Sequence, residues 1–264
     1  MGRSAKIGWG GKLIDVKSLF IRPISSTSAR SFVKKHHYSG KVVNSWLHLG
    51  VFHNGILGGV MQFGTPINKR ESIKLVKDTE WQGMVELNRM AFLDWLPKNS
   101  ESRAISIASR IIKKEYPKIE WILSFADGCQ CGDGTIYRAA GMLLLRIQKN
   151  KTIVRLKTGV IAARLRVKQR MRSGATKLDF SDSSLLEGYQ LMYILPLNRT
   201  VLERLQLEVL PYSDIDKLGA KMYKGKKCVQ SIDGDTSNNQ LEEGGSTPTC
   251  TLGVNKTKKA VCNG

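Results

Sequence analysis

Side chains able to do chemistry crowd into one stretch, Ser124-Phe125-Ala126-Asp127-Gly128-Cys129-Gln130-Cys131-Gly132-Asp133-Gly134-Thr135-Ile136-Tyr137. A carboxylate such as Asp127 can accept a proton or bind a cation, and a phenol such as Tyr137 can stack on a planar ring or donate to an oxyanion. The thiols Cys129 and Cys131 make half of a zinc site, without two further ligands at suitable spacing. A plainer reading stands beside these: Asp127 caps a turn and Tyr137 belongs to the core.

The flanking pattern positions this stretch. Ile119-Glu120-Trp121-Ile122-Leu123 has the length and β-branched bias of a buried strand, so a strand over 119–126 carries Asp127 at its carboxyl end. Open α/β sheets place ligands there. A short helix over Thr135–Ala140, closed by Gly141, must fold Tyr137 back beside that strand. Upstream, Ser25-Ser26-Thr27-Ser28 offers N-caps to a helix that runs into His36-His37-Tyr38-Ser39-Gly40. Two strands, 46–52 and 56–63, flank His53-Asn54-Gly55, an Asn-Gly hairpin signal. Residues 85–93 alternate like a strand, and a helix over 102–115 shows the apolar stripe Ile105, Ala108, Ile112. Further strands are expected at 142–147 and 189–195. The class is therefore α/β, a mixed and mostly antiparallel central sheet flanked by helices, with residues 1–17 a basic arm, 18–223 the folded domain and 224–264 a disordered tail.

Lys and Arg number 42 against 22 Asp and Glu, a formal charge of +20. Such a balance points to a polyanionic partner, most often nucleic acid. Gly134 to Leu178 holds no acidic residue, and the basic stretch 146–172 includes Arg155, Lys157, Arg164, Arg166, Lys168, Arg170 and Arg172. Residues 164–172 alternate strictly, which in a strand aligns five cations on one face. A helix would scatter them around two faces, and the plainer reading of such a run is a solvated face. No run of 18 uncharged apolar residues occurs, so a soluble intracellular protein is expected, and an odd count of five cysteines argues for reduced thiols.

The element order, with Ile136-Tyr137-Arg138-Ala139-Ala140-Gly141-Met142 on the helix after the fifth strand, resembles the GNAT acyltransferase fold. His37-Tyr38-Ser39-Gly40, Glu86-Leu87-Asn88-Arg89, the serines at 102, 106 and 109, and the Asp127–Tyr137 pair resemble more narrowly the Mom family of phage DNA-modification proteins. The resemblance covers roughly residues 18 to 200. It implies a transferase that converts adenine in DNA to an N6-carbamoylmethyl form and shields phage DNA from host restriction. The partner is then double-stranded DNA inside the host cell, with no membrane; the sequence leaves the oligomeric state open.

The resemblance implies roles. An exocyclic adenine amine is a poor nucleophile, so the enzyme must extrude the base and supply a base catalyst or an activated electrophile. His37 becomes proton acceptor or metal ligand. Asp127 orients that imidazole, takes the N6 proton or binds a cation. Tyr38 and Tyr137 stack the base or donate to an oxyanion, and Arg89 pairs a phosphate or carboxylate. The family also implies iron, with His37 and Asp127 as ligands, although the spacing alone suggests no metal. The donor's anion belongs at the helix N-terminus with Ser102, Arg103 and Ser106. There Leu96-Pro97-Lys98-Asn99-Ser100-Glu101-Ser102-Arg103 replaces the Gly-rich pyrophosphate loop of acetyl-CoA enzymes, which sets acetyl-CoA as donor against another acyl donor. Two other classes stand against this reading: a GNAT acetylating a small-molecule or protein amine, and a DNA-binding protein without catalysis.

Overall fold

The computed structural model describes residues 18–164, 183–223 and 226–227. Helix α1 (Ser26–His36) follows strand β1 (Phe20–Pro23) and is capped by Ser25, whose hydroxyl accepts from the Ser28 N–H at 3.1 Å. Strands β2 (Leu47–His53) and β3 (Ile56–Gly64) meet at Asn54 and Gly55, both with positive φ, the geometry that the Asn-Gly pair favours. After a short helix α2 (Lys69–Ser72) come strand β4 (Met84–Phe92), the long helix α3 (Ser100–Glu115), strand β5 (Trp121–Asp127), helix α4 (Thr135–Ala139) and strand β6 (Leu143–Lys149).

Strands β7 (Ile153–Arg155), β8 (Ile161–Ala163) and β9 (Ser184–Leu185) form a separate three-stranded sheet, ordered β8-β7-β9, which the sequence pattern does not announce. Strand β10 (Tyr189–Pro196) returns to the main sheet. Helices α5 (Thr200–Glu203) and α6 (Ser213–Lys217) and the short strands β11 (Met222–Tyr223) and β12 (Lys226–Lys227) complete the described chain. The main sheet runs β1-β2-β3-β4-β5-β10-β6. All its neighbours are antiparallel except β4 and β5. This is the mixed, mostly antiparallel central sheet flanked by helices expected from the element order.

Alternation divides the core. Val60 packs with Ala29 and Val33 of α1, whereas its neighbour Met61 joins Ile105, Ala108 and Ile112 of α3. Adjacent strand residues point to opposite faces, so the two helices cover opposite sides of the sheet. Burying those apolar stripes is the main stabilising term for both helices.

The parallel ladder between β4 and β5 is short. It pairs Met84 with Trp121, Val85 with Ile122 and Glu86 with Leu123, and then ends. Beyond that point the strands diverge, and a sheet that opens at its centre leaves a recess lined by backbone and side chains. Among the described residues no helix is long and apolar enough to cross a membrane. From residue 165 on, the predicted strand over 164–172 lies outside the described residues, as do Arg166, Lys168, Arg170 and Arg172, the arm 1–17 and nearly all of the tail.

Candidate active site

A register shift brings two of the site's side chains to one face. Gln62 pairs with Arg89 and Phe63 with Leu87, so Asn88 is an extra residue on β4. Without that bulge Glu86 and Arg89, three residues apart, would point to opposite faces; with it they share one. Asn88 itself accepts from the Ser45 hydroxyl at 2.8 Å. Glu86 stands opposite Leu123 on β5, and alternation carries Asp127 onto the same face as Leu123.

His37 closes α1, its backbone N–H donating to Val33 O. Its Nδ1 accepts the Ser39 N–H at 3.1 Å and lies 2.8 Å from the Ser39 hydroxyl. In the neutral ring the proton therefore sits on Nε2, which acts as a donor. Burial first, and Arg89 second, push the imidazole down to about 4, so the neutral ring is the working form. Its face lies against Tyr38, with ring centroids 4.2 Å apart. The Tyr38 ring is half exposed. Its hydroxyl is nevertheless held well above the ordinary phenol range, by desolvation first and then by Asp127 and Cys131.

Asp127 ends β5 and anchors the turn that follows. Its Oδ1 accepts the Cys129 N–H at 3.1 Å and the Gln190 amide at 2.8 Å, while Oδ2 accepts the Gln130 amide at 2.8 Å. Among the described residues the His37 ring is bonded by Ser39 and not by Asp127. Arg89 donates to Lys41 O at 3.0 Å and to Asn88 O at 2.6 Å. The Lys41 ammonium in turn donates to Ile161 O at 3.0 Å, which ties the small sheet to the loop beside His37.

Tyr137 on α4 is pushed up to about 12, chiefly by burial, with Ser124 as its hydrogen-bond neighbour and Cys131, Glu86 and Arg89 in its field. Its ring centroid lies 5.3 Å from that of Tyr193. His37 and Tyr38 from the end of α1, Arg89 from β4, Asp127 from β5 and Tyr137 from α4 thus come together from four different parts of the fold. Glu86 joins them, a member of the Glu86-Leu87-Asn88-Arg89 motif to which the family resemblance gives no role of its own. Its carboxyl is pushed up to about 7 by burial, against the opposing pull of Arg89.

Ser102, Arg103 and Ser106 lie apart from that cluster, along α3. A cleft of about 490 Å³ is lined by Phe92, Pro97, Asn99, Ser102, Ile136 and Ala139, and a smaller one of about 250 Å³ holds Arg103, Ser106 and Arg110. The first volume suits a small organic ligand. The Ser102 hydroxyl donates to Asn99 O at 3.2 Å and the Ser106 hydroxyl to Ser102 O at 3.0 Å, so both present acceptor oxygens. Arg103 is the donor here, with its buried Nε bonded to nothing among the described residues. Helix α4 borders both regions, placing Thr135, Ile136 and Ala139 on the cleft and Tyr137 in the cluster.

The donor atoms fit iron poorly. The Nδ1 lone pair of His37 faces a backbone N–H, Nε2 carries the proton, and both Asp127 oxygens accept from amides. Among the described residues no three His, Cys, Asp or Glu side chains converge as metal ligands. The Cys129 thiol is buried and pushed up to about 11, and Cys131 is raised as well, both by desolvation ahead of Asp127, which disfavours the thiolate that zinc needs.

Comparison with solved structures finds an acetyltransferase from Bacillus subtilis in complex with CoA, 12% identical, TM-score 0.39, over 68% of this chain and 99% of that one. It also finds the ribosomal-protein-S18-alanine N-acetyltransferase of Escherichia coli, 11% identical, TM-score 0.39, over 68% and 94%. Among characterised sequences, methylcarbamoylase Mom of Escherichia phage Mu is 43% identical over 136 residues, 51% of this chain. The match spans about half, 54%, of that relative's own length. The Mom family model matches residues 18–214, the whole of the sheet and every residue of the cluster, and the chain belongs to the Mom protein family.

Proposed function

We propose that this protein is a DNA-modifying transferase that converts adenine in DNA to an N6-carbamoylmethyl form, so that phage DNA resists host restriction. The observation that carries the reading is the 43% identity to a methylcarbamoylase, joined to a desolvated cluster in which Tyr38, Arg89, Asp127 and Tyr137 act on one another. An adenine taken out of the stack needs an exposed aromatic face and nearby donors. The half-exposed Tyr38 ring, backed by His37, supplies the face. His37 Nε2–H supplies a donor to the ring or to charge developing in the transition state. Arg89, fixed by two backbone carbonyls, steers a phosphate or a carboxylate toward the cluster. Asp127 holds the turn that presents Cys131 and leads into α4, and Tyr137 lines the recess with a protonated phenol.

The donor of the added group occupies the cleft over the first turns of α3, where Arg103 binds its anionic part and Ser102 and Ser106 accept hydrogen bonds. Its reactive carbon reaches the cluster past α4. Duplex DNA lies against Arg155, Lys157 and Arg164, all exposed, with Arg166, Lys168, Arg170 and Arg172 extending the same cationic stretch. The Lys41–Ile161 bond keeps that surface beside the recess.

The test is nucleoside mass spectrometry of DNA from cells that express the full chain. Deoxyadenosine heavier by one carbamoylmethyl group in place of hydrogen is the expected product. Unmodified DNA together with tight CoA binding would favour an acetyltransferase acting on another amine. Salt-sensitive DNA binding without a modified base would favour a binding protein.

A further inference from the structure

The acceptors around the recess can be followed one by one to their partners. His37 Nδ1 takes the Ser39 N–H, leaving a protonated Nε2 that cannot receive another proton from substrate. The two Asp127 oxygens take three amide N–H groups. The Tyr38 and Tyr137 phenols and the Cys131 thiol are all shifted upward, so each keeps its proton at neutral pH. Glu86 is different. No hydrogen bond or ion pair among the described residues engages its carboxylate, and the residue paired with it on β3 is Gly64, which brings no side chain. It is the last residue of β4 paired to β5, so it stands where the strands part. The bulge at Asn88 puts it on the same face as Arg89.

We infer that Glu86 is the proton acceptor for the attacking amine, an inference that rests on the adenine reading above. In this step the N6 nitrogen forms a bond to the methylene carbon of a donor whose carbamoylmethyl group carries a leaving group. The bond from that carbon to the leaving group breaks, its electron pair departs with the leaving group, and the N6 proton passes to the Glu86 carboxylate. The charged and titratable groups that face Glu86 are Arg89 on its own strand and Tyr137 on α4. Arg89 favours the carboxylate and burial opposes it, which leaves the group near 7, where a general base works best at cellular pH. Sequence spacing cannot reveal this, because one Glu in an alternating strand looks like a solvent-facing position.

The experiment compares wild type, Glu86→Gln and Glu86→Asp as full chains. Glu86→Gln should lower adenine modification on the order of a hundredfold or more. DNA affinity and its salt dependence should stay as in wild type, which separates a chemical role from a binding one. The wild-type rate should rise with pH through about 7, and the residual rate of Glu86→Gln should lose that rise. Glu86→Asp, with a shorter reach, should react slowly but keep the rise. Should Glu86→Gln be poorly folded, the Glu86→Asp profile decides alone, and a profile without the rise overturns the inference. A Glu86→Gln protein that modifies adenine at the wild-type rate also overturns it. Wild-type protein that leaves adenine untouched overturns the adenine reading and this inference with it.

Discussion

In the divergence of β4 and β5, His37, Glu86 and Tyr137 are held away from their ordinary pKa values, and burial is the first cause in each case. In the small sheet, Arg155 and Arg164 stand exposed around a minimal core of Val154 and Ala162. The main sheet thus holds a few groups whose protonation is set by a low dielectric. The small sheet holds cations whose effect on a polyanion adds up over many weak contacts. Function in the first region should fail with one atom. In the second it should fade by degrees.

The largest effect is expected at Asp127. Removing its carboxylate leaves the Cys129 N–H and the Gln130 and Gln190 amides without their acceptor. Asp127→Ala should abolish adenine modification and also lower stability by about 1–3 kcal/mol. Nucleoside mass spectrometry and thermal melting together check it. A variant that loses modification while melting as wild type would show that the carboxylate acts on substrate and not through the turn.

Gly134 supports the cluster from behind. Its φ is +85°, and a Cβ there would meet the Tyr193 ring at 2.5 Å. Tyr193 is fully buried and packs on Tyr137. Gly134→Ala should therefore cost at least about 2 kcal/mol, roughly 5 °C in melting temperature. Activity should fall with it as Tyr137 is displaced. Tyr137→Phe should keep the melting temperature, because the ring remains.

Stability against pH sharpens the comparison. The His37 value in the folded state lies below its unfolded 6.5, so the unfolded chain binds more protons and stability is lost as pH falls from about 6.5 toward 4. The Glu86 value lies above its unfolded 4.5, so the folded chain binds more protons and stability is lost as pH rises from about 4.5 to 7. Melting curves should show His37→Gln more acid-resistant than wild type, and Glu86→Gln gaining on wild type up to about pH 7. Equal pH dependence in all three proteins would show that the recess is wetter than its geometry implies.

What the sequence disclosed follows from the range of the interactions involved. The Asn54-Gly55 turn, the Ser25 cap and the α3 stripe are local, and each was legible as a short pattern. The candidate cluster was legible mainly through family resemblance, and its internal wiring was not. Gln190, which binds Asp127, lies 63 residues away in the chain. The place of Glu86 depends on where the β4–β5 ladder ends and on a bulge at Asn88. The small sheet leaves no such pattern, because strands of two or three residues are too short to show alternation. Asp127 met its plainer reading, the turn cap, at the same position that invited the catalytic one.

The smallest single effects are expected on the small sheet, and they separate the two regions most cleanly. Arg155 and Lys157 flank Leu156 on the β7–β8 hairpin, where Leu156 is buried and both cations are exposed. Neither should carry base information, since a phosphate contact is blind to sequence. Arg155→Ala and Lys157→Ala should each weaken DNA binding alike on all sequences and reduce the slope of log affinity against log salt by about one. Modification measured at saturating DNA should be unchanged in both. Arg89→Ala should do the reverse: modification falls steeply while the salt slope stays as it was, because its guanidinium is held inside the recess by Lys41 O and Asn88 O. Salt titrations of the three variants beside their modification yields decide the matter. If Arg89→Ala flattens the slope as much as the hairpin variants do, the recess is part of the backbone-binding surface, and the division between a desolvated site and a solvated cationic one does not hold.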